Sequence, residues 1–260
     1  MAEGGAGLSS RASTAERAPA PRKNPAPPAH WGSALRTILT APRKGFTRAL
    51  RLSRDDDGGR AGSILVLLLS GLGGAYLLLM FLKIRGLVGF REVSPEDTQW
   101  WGGLGLAVVA AVVAGIIGHF LFGLAAPPLV ARVGKRCKPR DLRTIWGLSS
   151  FPAAVGFTLL VILDLVIAGR EAYSSLEGSS LTTGWAAGSL AIGLSLGAWS
   201  LYLFLQGLQV AADVRPSRSI MVLLVAVLCL MPATFLGIIA VVGVASLVGM
   251  LVNVVQAVNK

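Results

Sequence analysis

Five long apolar runs separated by short polar stretches set the pattern of this chain. They cover Gly62 to Leu82, Gly102 to Leu124, Ala153 to Ala168, Gly184 to Leu208, and a tract starting at Ile220. A hydrocarbon core about 30 Å thick is crossed by ~20 apolar residues in a helix. Most of the runs meet that length, and the third lies near its lower limit. Within them Asp164 is the one acid, and there is no Lys or Arg. In lipid a helix satisfies its own backbone polar groups. The pattern therefore predicts an all-α, polytopic transmembrane helical bundle with five spans, at about 62–82, 102–124, 150–168, 184–208 and 220–244. The last tract reads as one tilted helix ending near Val244 with an interfacial stretch after it. Two spans broken between Pro232 and Gly237 are the alternative.

Polar patterning fills in the rest. Residues 1–30 are rich in Ala, Pro, Gly, Ser and Arg and hold almost no large apolar side chain, so they are expected to remain a disordered basic tail. They contain no apolar stretch of the kind a secretory signal needs. Residues 31–54 differ. Trp31, Leu35, Ile38 and Leu39 recur at helical spacing, Pro42 interrupts, and Phe46, Ala49 and Leu50 form a second apolar face. Arg36, Arg43, Lys44, Arg48 and Arg51 occupy the other side. This predicts a juxtamembrane amphipathic segment lying in the membrane interface, with those five cations at anionic lipid headgroups. Packing on the protein's own loops is the competing expectation. Asp55 to Asp57 follow, where acids suit the start of the first span. Pro127 and Pro128 are expected to end the second span, and Pro139 to Trp146 to form a short helix with Leu142, Ile145 and Trp146 on one face.

Composition and charge change the picture in one respect, orientation. Apolar residues make up 53% of the chain, and the mean hydropathy is +0.67. The net charge of +11 is distributed unevenly: alternate segments, beginning with the N-terminal one, hold 19 of the 24 Lys and Arg residues. The positive-inside rule then places the N-terminus and the second and fourth loops in the cytoplasm. The outward loops carry Glu92, Glu96, Asp97, Glu171 and Glu177. Orientation and anionic lipid account for the basic residues, so no nucleic-acid partner is expected.

Candidate chemistry is sparse. Asp164 and His119 are the candidate functional polar residues in the membrane. Asp164 sits five residues before Gly169, roughly 7 Å from the outer end of its span. It reads as either a proton or ion site or an interfacial or interhelical hydrogen bond, and Asp164→Asn is expected to fold normally. His119 lies toward the opposite face, so the two should not pair. No catalytic set, metal-ligand spacing, phosphate loop or cofactor fingerprint is found. Cys137 and Cys229 lie at different depths and are not expected to form a disulfide. Small residues at four-residue spacing, Gly71 with Ala75, Ala111 with Gly115, Gly184 with Gly188 and Gly193 with Gly197, let helices approach closely, within one protomer or in a homo-oligomer.

Four features carry a family resemblance. They are ILTAPRKGF (Ile38 to Phe46), RDLRTIWGLSSFPAAV (Arg140 to Val155), WSLYLFLQGLQVAADVRPSRSI (Trp199 to Ile220), and the five-span order itself. Together the chain resembles the Yip-domain family, the Ypt/Rab-interacting type of five-span membrane proteins. It lacks DLYGP-like and YGYS-like motifs, which puts direct Rab binding in doubt. The likeness is to a bacterial-type member, and 18 Arg against 6 Lys fits a GC-rich genome. It implies a non-enzymatic inner-membrane protein that organises membrane or partner proteins. A small transporter or channel subunit using Asp164 is the rival expectation, and a membrane-embedded enzyme the third.

Overall fold

The computed structural model describes residues 30–54, 56–87, 98–169 and 180–258. The expected disordered tail and the two outward loops with their acids fall outside these residues. The described chain is helical: α1 (Trp31–Thr40), α2 (Pro42–Arg54), α3 (Asp56–Leu87), α4 (Thr98–Val133), α5 (Pro139–Ser149), α6 (Phe151–Ile167), α7 (Ser180–Ala212) and α8 (Pro216–Val258). Five segments are long and apolar enough to cross a membrane: Arg60–Ile84, Leu104–Val133, Pro139–Ile167, Gly184–Ala212 and Pro216–Ala240. Their large exposed side chains, among them Ile64, Leu68, Phe81, Leu124, Val166 and Met231, form the surface that faces lipid.

Two helix ends differ from expectation. Pro127 and Pro128 lie inside α4, which continues to Val133. Proline removes a backbone donor and disfavours helix in the residue before it. Here packing outweighs that cost, because Ala126 and Val130 on the same stretch are completely buried in the core. The last tract is one helix, neither broken at Pro232 nor ended near Val244. It runs for 43 residues with Pro232 inside it, roughly twice the length a ~30 Å hydrocarbon core requires. Pro139 does begin α5, as expected, and α5 passes into α6 through Ser150, which keeps helical backbone angles and donates its N–H to Trp146 and Gly147 carbonyls.

Helix α3 is the hub. It touches α2, α4, α5, α6 and α7, whereas α8 packs along α4 and barely meets α7. The α3–α4 seam is made by glycine: a Cβ on Gly115 would run into the Ser70 carbonyl and the backbones of Gly71 and Gly74. A larger residue at this crossing would force the helices apart. Gly193 and Gly197 in α7 admit Met80 and Tyr76 of α3 in the same way, whereas Gly184 and Gly188 have nothing near them.

The densest core lies at the basic end of the bundle. Phe122 of α4, Leu142, Ile145 and Leu148 of α5, and Leu203 and Leu208 of α7 are fully buried there. The juxtamembrane segment joins this core. Ile38, Phe46 and Ala49 are completely buried, and Phe46 faces α7 at Gly207. The expectation that this apolar face lies down in the membrane interface is corrected: the protein itself covers it. The reason is that α5 and the end of α7 present an apolar floor of Ile145, Leu203 and Leu208, which removes the face from water as well as lipid would.

Candidate functional site

The ionisable groups in the spans are collected by α3, at two levels. Near one end, α3 supplies Lys83 and α6 supplies Asp164, with Lys83 Nζ 2.6 Å from Asp164 Oδ2 and side chains only 5% and 2% exposed. Lys83 also donates to Ser189 Oγ of α7 at 2.8 Å. The other carboxylate oxygen of Asp164 accepts the indole N–H of Trp185 at 2.9 Å. Trp185 and Ser189 are one helical turn apart, so one face of α7 serves both members of the pair. A buried charge pair is tolerated when further hydrogen bonds satisfy its remaining lone pairs and protons, which is the arrangement here.

At the other level, Ser70 of α3 meets His119 of α4, with Oγ 3.0 Å from Nδ1. The Ser70 hydroxyl also donates to the Val66 carbonyl at 2.8 Å. Since a hydroxyl has one proton, the imidazole Nδ1 is the donor of the Ser70 contact, which fixes the tautomer by network logic. His119 is therefore a helix-to-helix tie. As expected from the sequence, it does not meet Asp164. Their partners on α3 are separated by about 20 Å of helix rise.

Between the two levels lies a cavity of about 190 Å³. Its wall is glycine, serine and apolar side chains, with no charged group. The serine hydroxyls there are engaged. Ser149 and Ser150 donate to the Trp146 carbonyl, and Ser200 accepts the Ala153 N–H at the start of α6.

The basic end holds most of the remaining cations. Arg36, Arg43, Lys44 and Arg51 are exposed, and Arg48 is half-buried. Arg43 is turned onto the protein, donating to Gln206 and Gln209 side-chain oxygens of α7 at 3.0 and 2.9 Å. Arg54 grips Asp141 of α5 with two nitrogens, at 3.3 and 2.7 Å, tying α2 to α5. That carboxylate raises the Arg54 pKa through the hydrogen bond and its charge. Lys135 and Asp213 pair at 2.9 Å on the surface, where the hydrogen bond and charge of Lys135 hold the Asp213 carboxyl below its ordinary range. Asp213 also adopts a left-handed backbone, φ 52°. Cys137 donates its thiol to the Ala211 carbonyl at 3.0 Å, and burial, with Asp141 nearby, pushes its pKa up to about 11.

Lys83, Trp185, Ser189, Arg54 and Asp141 are the residues that sequence reading missed. Lys83 directly follows the first apolar run, Gly62 to Leu82, outside the stretch that stands out by its hydropathy. The available signal was depth: a Lys at the outer end of one span and an acid at the outer end of another.

Among the described residues, no cluster of His, Cys, Asp and Glu could hold a metal. A family model, the Yip1 domain, matches residues 36–238, well over half of the chain. Neither the curated proteins nor the solved structures contain a match.

Proposed function

The chain belongs to the Yip1 domain family and has five helical segments long and apolar enough to cross a membrane, and on that premise we propose that it is a non-enzymatic scaffold that organises membrane or partner proteins. One observation carries the reading. The buried charges of the spans are occupied with each other at one end of the bundle, and the central cavity contains no charged group. A carrier needs polar groups of the spans to converge on a substrate path. Here the spans use theirs to join helices. The surface left for function is the lipid-facing side and the basic end, which suits binding of membrane partners, anionic headgroups or a second copy through the open Gly184–Gly188 face.

In this reading the protein resides in a bacterial inner membrane with its N-terminus in the cytoplasm. Support comes from the charge asymmetry and from α2 and α5, which gather the basic residues of two separate segments at one end of the bundle.

A transporter or channel subunit is the second reading, and the buried Lys83–Asp164 pair is the observation that favours it. Reconstitution distinguishes the two. A scaffold gives no pH-dependent flux above empty liposomes, and affinity purification from native membranes returns a stoichiometric partner. A flux that Asp164→Asn abolishes in folded protein replaces the scaffold with transport.

A further inference from the structure

Arg140 and Arg143 open α5 on the side facing α3 and α4. Together with Ser53, Ser63, Thr144, His119 and Phe120 they line a cleft of about 280 Å³ at the basic end of the bundle. Arg140 is exposed and Arg143 half-buried. Arg54, Lys83 and Lys135 each pair with a carboxylate, whereas Arg143 stacks on an aromatic ring.

Arg143 is held in place by its surroundings. Its guanidinium lies 5.6 Å from the centre of the Phe120 ring. Its aliphatic stem runs over Gly123, where a Cβ would collide with Arg143 Cγ and Cδ. A stacked guanidinium that has lost rotamer freedom presents its N–H fork at a smaller entropic cost on binding. Arg140 lies one turn earlier on the same helix. Two forks on one side of a cleft match the oxygens of a phosphate, the geometry that arginine recognises best.

The rest of the cleft shows which kind of phosphate. Ile64 and Phe120 line it, and Leu68 lies one turn further along α3 toward the middle of the bundle; all three are large and exposed. These residues lie in membrane-spanning segments, so the apolar wall below the arginines faces acyl chains. A cationic mouth above a lipid-facing apolar wall fits an amphiphile with a phosphate at its head.

We propose that this cleft binds the phosphodiester headgroup of an anionic glycerophospholipid, with Arg140 and Arg143 on the phosphate and an acyl chain along Ile64, Phe120 and Leu68. The site is separate from the cations of α1 and α2 and does not depend on the scaffold reading.

The test uses the full-length protein in phosphatidylcholine nanodiscs titrated with phosphatidylglycerol, with bound lipid counted by native mass spectrometry. Each arginine near an anionic headgroup contributes roughly a fivefold effect, so R140Q/R143Q should weaken phosphatidylglycerol retention at least about tenfold. Phosphatidylcholine retention should not change. R215Q/R218Q, which removes equal charge at two exposed positions before and at the start of α8, should alter retention by less than about twofold. R140Q alone changes an exposed side chain, so it keeps the fold and should cost about fivefold. Equal losses in R140Q/R143Q and R215Q/R218Q mean that general surface charge does the work, and the site is overturned. Unchanged retention in R140Q overturns it too. Displacement of the lipid by millimolar inorganic phosphate shows that the cleft takes free phosphate, and the lipid assignment fails.

Discussion

Asp164→Asn is the sharpest change at the scale of single residues. Read from the sequence, Asp164 makes at most an interfacial or interhelical hydrogen bond in its structural reading, and a quiet Asn variant is the expectation. Its contact with Lys83 reverses that, because the substitution leaves a buried ammonium without its counter-charge. Breaking one side of a buried pair costs about 3–5 kcal/mol, whereas replacing both sides with apolar groups is often neutral. We expect D164N to unfold much earlier than wild type in denaturant titrations in mixed micelles, and K83M/D164L to recover most of the loss. A D164N variant as stable as wild type would remove the structural role given to the pair. Asp164 and His119 were visible in the sequence because an ionisable residue in an apolar run stands out by contrast. Lys83, Trp185 and Ser189 were not, because their significance lies in which helix faces meet, which one-dimensional spacing across three helices does not carry. Cys137 permits a second measurement at this scale. With a pKa of about 11, its thiol is neutral at ordinary pH. The thiolate is the nucleophile, so iodoacetamide labelling should rise about tenfold per pH unit through the range below that value, without a plateau. A plateau near the ordinary thiol pKa, about 8.5, contradicts the burial.

Glycine decides which helices approach at the scale of elements. Gly115→Leu should separate α3 from α4 and cost at least about 1–3 kcal/mol, because the backbones it meets cannot yield as a flexible side chain can. Gly188→Leu enters open space and should stay within about 0.5 kcal/mol of wild type. If Gly188→Leu instead disperses a dimer in crosslinking experiments, that face meets a second copy. The amphipathic segment is tested by Phe46→Ala, expected to cost about 3–5 kcal/mol because Phe46 is completely buried. A loss below about 1 kcal/mol would return the segment to the membrane surface. The elements were legible in proportion to their contrast. The apolar runs gave the five spans to within a turn or two at most ends, and Pro139 gave the start of α5. The α4 end was missed because proline rules describe a helix in isolation, whereas Ala126 and Val130 are buried in the core to which α5 and α8 also contribute. The docking of α1 and α2 was left open because an apolar stripe does not name what covers it.

Orientation is a property of the whole molecule. With 19 of 24 basic residues in alternate segments, the N-terminal end should face the cytoplasm. Impermeant maleimide on intact cells should therefore spare a cysteine introduced at Ser9 and reach ones introduced at Ser94 and Ser175. Labelling at Ser9 with protection at Ser175 inverts the arrangement. The molecule is also uneven in how its helices depend on one another. All eight helices contribute to the core at the basic end, α8 through Val222 and Ala226, but beyond it α8 relies on α4, where Gly237 settles against Ala110 and Ala114. On the ribosome these partners emerge more than a hundred residues apart. At ~5–20 residues per second, α4 waits on the order of ten seconds for the helix that covers it. Its waiting face carries Ala110 and Ala114, the small residues that let a helix approach closely, so until α8 arrives the nascent chain holds open a seam made for one more helix.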